Sequence, residues 1–482
     1  MNFYQATKMS FNFLPKTKAL EHQVEAIEFI KEHKKVPLFD EQGLGKTKIV
    51  IEALCNNLKS KRIDSVLVVC KKTLLKTWQN EILKHSHLRS NVISGDKRGR
   101  GRSFMHFSHF HIINYESLVQ ELERIKTFLK LYKFALVLDE SAIIKNPSSR
   151  VAKSIFEIRN LVVKKIIITG TPIANKPEDL WAQFYFLDNG KTLGSDFKNF
   201  KNKFHIKLKG EESLKKHEEE LSKLGSKINK ISIRRTKDVL ELPEKIYLNE
   251  YVSLAGKQKR MYDNLRKEMY LDIEDTDESI IKKKVDNYLV KLLRLTQIAS
   301  NPSLIDERYD DTPSKFFKLD QLLKEMLKEE KAIVWSTFRG NIRLLKKRYE
   351  SYGALTLFGE MSIIDRNVVV EKFVNENKHR LLIANPSAAK EGLTLTSANN
   401  AIYLDRSFKM DDYIQSQDRI HRISQKKKCK IIKMIARGTI DEYTDEILEK
   451  KYLLAQFTLG DIKTLDTKEE FLSKERLLEI LG

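Results

Sequence analysis

Short, wholly apolar runs alternate with stretches of helical periodicity between residues 36 and 188. Continuous apolar runs of this length, bounded by turns, are typical of strands buried on both faces of a parallel sheet. The pattern therefore predicts a domain built from strand–helix–strand units. After an apolar start at VPLF (36–39), its strands are predicted in SVLVVC (65–70), FHIINY (110–115), FALVLDE (134–140) and KKIIITG (164–170).

A second set of apolar runs begins at residue 332, and a charged, largely helical stretch from about 191 to 312 separates the two sets. We therefore expect an α/β protein with two sheet domains. The second set comprises AIVWST, LTLFG, LLIAN, AIYLD and CKIIKMI. The predicted boundaries are 1–190 for the first sheet domain, 191–245 for a helical protrusion and linker, 246–450 for the second sheet domain with a helical insertion at about 256–312, and 451–482 for a helical tail.

Composition narrows the class of protein. A chain of 482 residues suits two or three domains. The net charge of +22 favours a polyanionic partner such as nucleic acid, although a genome that favours lysine codons would give the same excess. Three separated cysteines without a C-x-x-C pair argue against zinc and disulfides. No apolar run approaches the ~20 residues of a membrane span, so we expect a cytoplasmic protein, not secreted, from a bacterial or phage-infected cell.

A glycine-rich loop joins the first predicted strand to a helix-like segment in VPLFDEQGLGKTKIVIEAL (36–54). Backbone N–H groups of such a turn at a helix N-terminus form an anion site. Lys46 would then reach the β- and γ-phosphates of a nucleotide, and the Thr47 hydroxyl would bind Mg²⁺. The usual fingerprint G-x-x-x-x-G-K-[ST] has a glycine where this chain has Asp40, so a helix-capping turn also fits the loop taken alone.

An acidic pair, Asp139-Glu140, ends the predicted strand FALVLDE. An acid at the end of a strand can hold Mg²⁺, and its neighbour can orient an attacking water. Strands also often end in acids that cap the next helix, so the pair is weak alone. About ninety residues after Lys46 it becomes a strong indication of a nucleotide site.

Two further motifs carry polar groups suited to the same chemistry. Thr169 and Thr171 lie in a Thr-Gly-Thr-Pro turn at the end of a buried strand, where ligands bind in open α/β sheets, or where a threonine caps a helix. Arg419 and Arg422 in QSQDRIHRISQ are three apart, which predicts one helix face. Two guanidiniums there suit a phosphoryl-transfer transition state, and a basic helix face balanced by Asp418 is the alternative.

Five motifs together resemble one known family. DEQGLGKT, LDESAIIKN, TGTPIAN, EGLTLTSANNAIYLD and QSQDRIHRISQ occur in the order and spacing of the Snf-type ATPases of helicase superfamily two. The family's loop normally begins D-E-x-G, so Asp40 is no defect in it. The resemblance covers roughly residues 18 to 450, and GLTLTSA and QDRIHRISQ look most similar to the fork-remodelling and annealing-helicase branch.

The resemblance implies two RecA-like lobes, each a parallel sheet flanked by helices, with ATP and Mg²⁺ as cofactors and DNA across both lobes. Catalysis would fall to Lys46, Asp139, Glu140, Arg419 and Arg422, with Thr47 and Asp139 on Mg²⁺. ATP would be bound by His22, Gln23, Asp40, Gly43, Leu44, Gly45, Lys46, Thr47 and Gly392. DNA would be contacted by Lys71, Trp78, Asn114, Lys145, Thr171, Thr394 and Thr396, and phosphates also by a basic loop, GDKRGRGR (95–102), unless that loop is simply solvated.

The chain departs from the family at two places. The usual D-E-A-H acid box continues here as Ser141-Ala142, so the histidine that couples the nucleotide and DNA sites is missing, and paired glycines before GLTLT are replaced by residues 388–391 (AAKE). Two functions stay open. The first is a monomeric, ATP-driven double-stranded DNA translocase or helicase that remodels branched DNA, by branch migration or fork regression, in replication, recombination or repair. The alternative is the ATPase motor subunit of a larger DNA-processing or defence complex.

Overall fold

The computed structural model describes residues 11–204, 211–276, 285–390, 392–465, 478–479 and 481. These residues form two compact units. The first unit comprises 11–204, 211–240 and 455–464, and the second comprises the rest. The first unit thus includes 211–240, which the sequence analysis assigned to a protrusion and linker, and 455–464, which it assigned to the tail.

Six parallel strands form the sheet of the first unit, in the order β1-β6-β5-β2-β4-β3. The order places β5 and β2 in the middle, where both faces of the sheet are covered, and their residues are wholly apolar and buried except at the ends. The strands are β1 (Lys35–Leu38), β2 (Ser65–Cys70), β3 (Ser90–Ile93), β4 (Phe110–Asn114), β5 (Phe134–Asp139) and β6 (Lys164–Ile168).

Helices connect successive strands of this sheet, as parallel pairing requires. The prediction of a loop at 95–102 is wrong, because Lys97–Ser103 is helical. The Asp96 carboxylate caps this helix by accepting from Gly99 N at 2.7 Å. The helices are α1 (Glu21–Glu32), α2 (Lys46–Lys59), α3 (Leu75–His85), α4 (Lys97–Ser103), α5 (Tyr115–Gln120), α6 (Leu122–Leu129), α7 (Arg150–Ile158), α8 (Trp181–Asp188), α9 (Phe197–Asn202) and α10 (Glu211–Asn229).

One apolar core lies under α1, α2 and α3 of the first unit. Ile30 of α1 and Leu54 of α2 pack with Val66, Val68 and other sheet residues, all fully buried. Burying each of these side chains stabilises the folded protein by roughly 1.5–3 kcal/mol, so this layer fixes the position of α2 on the sheet. The start of α2, where the glycine-rich loop ends, is therefore held rigidly.

The second unit also has six parallel strands, in the order β7-β12-β11-β8-β10-β9. Together the two sheets confirm the predicted α/β class with two parallel sheets. The strands are β7 (Lys245–Val252), β8 (Ala332–Trp335), β9 (Leu355–Leu357), β10 (Leu381–Ala384), β11 (Asn400–Tyr403) and β12 (Cys429–Ala436). All the predicted runs coincide with strands, whereas β3 and β7 were not predicted.

Two helices, α11 (Gly256–Glu274) and α12 (Val285–Ser300), occupy most of the predicted insertion and share an apolar cluster that includes Tyr262, Met269 and Leu292. No helix among the described residues is long and apolar enough to cross a membrane. The helices of this part of the chain are α11 (Gly256–Glu274), α12 (Val285–Ser300), α13 (Ser314–Met326), α14 (Arg339–Arg348), α15 (Ile363–Asn375), α16 (Met410–Gln417) and α17 (Ile440–Leu459).

A buried carboxylate joins the insertion to the second sheet. Asp405, just after β11, accepts hydrogen bonds from Ser300 Oγ at 2.9 Å, Ser336 Oγ at 2.6 Å and Asn341 Nδ2 at 3.1 Å, and from the backbone and hydroxyl of Thr337. Every donor points at the same two oxygens, so the negative charge is stabilised although it is buried.

Asp405→Asn is expected to lower the free energy of unfolding by about 2–3 kcal/mol, because the amide brings N–H donors to a place where only donors converge. Denaturant and thermal unfolding of the two proteins measure the change. The matched control is Asp310→Asn, since the Asp310 side chain is 86% exposed and should tolerate the same substitution. Equal midpoints for both variants would contradict a role for the carboxylate in holding the unit together.

Candidate nucleotide-binding site

The loop between β1 and α2 adopts a conformation that requires glycine. Gly43 and Gly45 have φ angles of 95° and 80°, in the left-handed region that side chains disfavour. A Cβ on Gly45 would also lie 2.4 Å from Gln23 Nε2 of α1. The helix α2 begins at Lys46, directly after this turn. Its free N–H groups therefore face the loop and favour a bound anion.

The Lys46 side chain lies inside this loop. Its Nζ donates to the backbone oxygens of Asp40 at 2.8 Å and Glu41 at 2.9 Å. A phosphate oxygen would accept more strongly than either carbonyl, because it is charged. The position of the ammonium group therefore suits the predicted role of Lys46 in binding phosphates.

Helix α1 supports the loop from the other side. Gln23 Nε2 and His22 Nε2 each lie 3.2 Å from the Leu44 backbone oxygen, and Gln23 Oε1 accepts from Leu20 N at 3.1 Å. Both side chains thus contact the loop, and their predicted part in binding the adenine base stays a prediction.

Asp40 contacts other residues of the protein, and its predicted part in binding ATP stays a prediction. Its carboxylate is fully buried and accepts from the Arg235 backbone N at 3.0 Å, Nε at 3.1 Å and Nη2 at 2.5 Å. The neighbouring Arg234 donates to Phe39 O at 2.8 Å and binds the Asp461 carboxylate. The two arginines, in a stretch that the sequence analysis treated only as a joining segment, hold the base of the loop.

The acidic pair stands at the end of β5, in the middle of the first sheet. Asp139 Oδ2 accepts from Trp78 Nε1 at 2.8 Å, Oδ1 accepts from Glu140 N at 3.0 Å, and the Tyr115 hydroxyl donates to Asp139 O at 2.8 Å. Glu140 has a φ of 53°, a strained conformation for a residue with a side chain. The chain leaves the strand at this residue, and the 3-10 turn Ser141–Ile144 follows directly.

Burial, together with the neighbouring Glu140 carboxylate, raises the pKa of the Asp139 carboxyl to about 6. The hydrogen bond from Trp78 and the charges of Lys46 and Lys71 oppose this shift of the pKa. A further positive charge beside the buried carboxylate would therefore be favoured, as expected of a residue that holds a cation.

One glutamine joins the three motifs of the first unit. Gln42 Nε2 lies 3.5 Å from Glu140 Oε1. A Cβ on Gly170, in the Thr-Gly-Thr-Pro turn, would lie 2.8 Å from Gln42 Cγ and 3.4 Å from Lys46 Nζ. The loop, the acidic pair and the turn therefore meet at one point. Sequence reasoning missed Gln42, because its only mark in the sequence was its position inside the loop.

The residues present fit a magnesium–nucleotide complex. Mg²⁺ in such sites binds one or two carboxylates, a hydroxyl and the phosphates, rather than a cage made of protein alone. Asp139 and Thr47, in the first turn of α2, supply such a carboxylate and hydroxyl. Correspondingly, no cluster of three or more metal-ligating side chains occurs in the described part of the chain.

The predicted DNA contacts of the first unit divide into two groups. Trp78 and Asn114 are only 1% and 5% exposed, both donate to carboxylates, and their predicted contacts with DNA stay predictions. Lys71 and Thr171 are half-buried, and Lys145 lies on the surface with its Nζ 3.9 Å from Asp179. These last three also stay predictions.

The two predicted catalytic arginines of the second unit do not lie on one helix face, because α16 ends at Gln417 and the chain continues in turns. Arg419 is buried, and its Nε donates to Gln415 O at 3.0 Å. Arg422 is partly exposed, and its Nε donates to Asp418 O at 3.0 Å. Each guanidinium thus satisfies a backbone oxygen at the end of α16.

Arg422 also reaches the GLTLT segment of the same unit. Its Nη1 donates to Thr394 Oγ1 at 2.9 Å and to Gly392 O at 3.3 Å, and Gly392 has a φ of 74°. Thr396 Oγ1 lies 2.8 Å from Ser424 Oγ. The structure therefore brings the predicted residues 392, 394, 396 and 422 together, while their roles stay predictions.

The first unit combines a glycine loop ending in Lys46-Thr47, a helix that begins at that loop, and an acidic pair on a central parallel strand. Together these features define a P-loop nucleotide-binding protein. More narrowly, the chain belongs to the SNF2-related domain family, which matches residues 22–304, and residues 314–424 match the helicase conserved C-terminal domain. The resemblance to the Snf-type ATPases is confirmed at the level of the family.

Relatives match most of the chain. An uncharacterized ATP-dependent helicase of Mycoplasma genitalium is 27% identical over 457 residues, 92% of this chain and 42% of that protein. The human SWI/SNF-related matrix-associated actin-dependent regulator of chromatin subfamily A member 1 is 26% identical over 468 residues, 92% of this chain and 43% of that protein. This chain thus spans less than half the length of these relatives. The Sulfolobus solfataricus SWI2/SNF2 ATPase core in complex with dsDNA is 27% identical, with 94% of this chain and 96% of that chain covered and a TM-score of 0.43.

Trp78→Phe is expected to weaken the binding of a Mg²⁺–ATP analogue about tenfold, because it removes a hydrogen-bond donor to the buried Asp139 carboxylate while keeping an aromatic ring. Titration with a fluorescent ATP analogue measures the affinity. The matched control is Trp181→Phe, whose lost N–H donates to Gly194 O instead. Unchanged nucleotide affinity combined with weaker DNA binding would instead support Trp78 as a DNA contact.

Proposed function

We propose that the protein is a DNA-dependent ATPase that uses ATP hydrolysis to move along double-stranded DNA. The observation that carries the proposal is the meeting of three motifs at Gln42, within the first unit. The phosphate loop, the acidic pair and the Thr-Gly-Thr-Pro turn are far apart in the sequence and contact one another there. A merely structural glycine turn would need neither the half-buried Lys46 nor the strained Glu140.

The side chains of the first unit suit the steps of hydrolysis. Lys46 binds the β- and γ-phosphates, and the N-terminus of α2 supplies further donors to them. Glu140, directed by its backbone conformation, orients the attacking water and accepts its proton. Bound Mg²⁺ supplies neutralisation of the phosphate charge, and Asp139 and Thr47 would hold it.

DNA is the proposed polymer. The net charge of +22 favours a polyanion, and backbone contacts alone are enough for movement that is independent of sequence. Relatives carry the name ATP-dependent helicase, which agrees with this choice. We further propose branched DNA as the substrate, with branch migration or fork regression in replication, recombination or repair, because of the resemblance of GLTLTSA and QDRIHRISQ to that branch of the family.

The second candidate is a motor subunit of a larger DNA-processing or defence complex. It is favoured by exposed apolar side chains on the helical insertion. Leu271 of α11 and Leu289, Val290 and Leu293 of α12 are each 40–51% exposed, a grouping that suits a protein partner. In that case the isolated chain would hydrolyse ATP without moving DNA junctions.

The test is ATP hydrolysis by the purified protein with linear duplex, single-stranded, forked and four-way-junction DNA. Duplex or branched DNA is expected to stimulate turnover, and Lys46→Ala to lower it at least ~100-fold on every DNA. Lys59→Ala, at the exposed end of the same helix, is the matched control. No stimulation by any DNA, with turnover still lost in Lys46→Ala, would favour the subunit.

The second unit offers a test of the predicted arginines. Arg422→Ala is expected to lower turnover about a thousandfold with little change in nucleotide affinity, if its guanidinium stabilises the transition state. Single-turnover hydrolysis and analogue binding separate the two effects. Arg308→Ala, at a side chain 92% exposed, is the control. A loss confined to affinity would rule out the transition-state role.

A further inference from the structure

The acid box lacks its usual histidine, yet the residue before that position makes a buried polar contact. Ser141 is fully buried, and its Oγ donates to Gln183 Oε1 of α8 at 2.7 Å. Ser141 directly follows Glu140, so the contact starts at the acidic pair itself. The Ser141 hydroxyl thus attaches the end of the acid box to α8.

The Gln183 amide carries the connection onward. Its Nε2 donates to Pro172 O and to Asp179 O, both at 2.9 Å, while its Oε1 accepts from Ser141. Both amide hydrogens and the amide oxygen are therefore used, and the side chain is fully buried. Pro172 is the last residue of the Thr-Gly-Thr-Pro turn. One side chain thus bonds to the acid box, to the Thr-Gly-Thr-Pro turn and to the 3-10 turn Pro177–Leu180 that precedes α8.

These contacts close a ring around the nucleotide site. The acid box connects through Ser141 and Gln183 to the turn at Pro172. The turn contacts the phosphate loop, where Gly170 lies against Gln42, and Gln42 returns to Glu140. Breaking a buried hydrogen bond costs roughly 1–3 kcal/mol, so the members of the ring are expected to move together rather than separately.

We propose that Ser141 and Gln183 are positioning residues that transmit nucleotide-dependent changes at the acidic pair to the Thr-Gly-Thr-Pro turn, in place of the missing histidine. The inference rests on the proposed function and deepens it. The turn carries Thr171, a predicted DNA contact, so its position links hydrolysis to DNA. Neither residue touches the reacting atoms. Instead, they determine how strongly the binding of DNA and the binding of nucleotide affect each other.

Stability and coupling can be separated with a pair of substitutions. Ser141→Ala or Gln183→Leu alone leaves a buried polar group without its partner and is expected to destabilise the unit. Replacing both residues with apolar ones removes the donor and the acceptor of the Ser141–Gln183 hydrogen bond together. The loss of this one bond then changes the free energy of unfolding little, and the packing of α8 is retained. The double variant breaks the ring at both side chains, although Pro172 O and Asp179 O also lose their amide donor, and thermal unfolding measures the cost to the fold.

The first measurement is the ratio of DNA-stimulated to unstimulated ATP turnover. The double variant Ser141→Ala/Gln183→Leu is expected to lower this ratio at least tenfold, and Ser141→Thr, which keeps the hydroxyl, to retain it. Ser65→Ala is the matched control, because Ser65 is an equally buried serine that bonds to Ser108 O at the opposite end of the sheet. A double variant with the wild-type ratio would overturn the proposal.

A second measurement keeps this inference distinct from the proposed function. Hydrogen–deuterium exchange of the peptide that contains residues 169–176 is followed with and without Mg²⁺–ATP analogue, in the absence of DNA. Nucleotide is expected to change exchange there in the wild type and not in the double variant. If DNA never stimulates turnover but this difference holds, the function as a DNA motor fails and the connection stands. If wild type and double variant respond alike, the connection is wrong.

Discussion

The buried ion pair between Asp40 and Arg235 is the contact on which the nucleotide site depends. It fixes the residue where the strand β1 becomes the phosphate loop, and with it the direction in which Lys46 and the start of α2 face. A carboxylate without exposure persists only when its charge is matched and its oxygens accept hydrogen bonds, as they do here. The acid that stands in place of the usual first glycine therefore stabilises the structure of this loop.

The buried strands could be predicted from the sequence, because strands covered on both faces must be apolar throughout. β3 and β7 escaped prediction because polar residues such as Asn91, Asn249 and Glu250 interrupt their apolar runs, which an edge strand tolerates since it is less covered. The helix at Lys97–Ser103 was missed because its two glycines and its arginines are typical of loops. Its cap by Asp96 depends on a single hydrogen bond that no periodicity shows.

The site divides in the same way. Motifs that are continuous in sequence, such as 43–47 and Asp139-Glu140, could be predicted because their chemistry requires these residue types at fixed spacings along the chain. Their supporting residues could not be, because each meets its partner only through the fold. Arg235 is 195 residues from Asp40, and Gln183 is 42 from Ser141. The same limit applies to Trp78, whose predicted contact with DNA followed the family motif, whereas its hydrogen bond to Asp139 depends on the fold.

The order of the units along the chain has a consequence for biosynthesis. The first unit is interrupted, since its residues 455–464 follow the entire stretch 241–454 that builds the second unit. Asp461 reaches Arg234, and the Leu459 backbone oxygen accepts from Asn229, only after the ribosome has made nearly all of the described chain. Contacts so distant in sequence are slow to form, because a long loop must close first. The first unit is thus begun first but completed only after residues 241–454 have been made, and a chain released before residue 455 would lack the Asp461 carboxylate that binds Arg234 beside the phosphate loop.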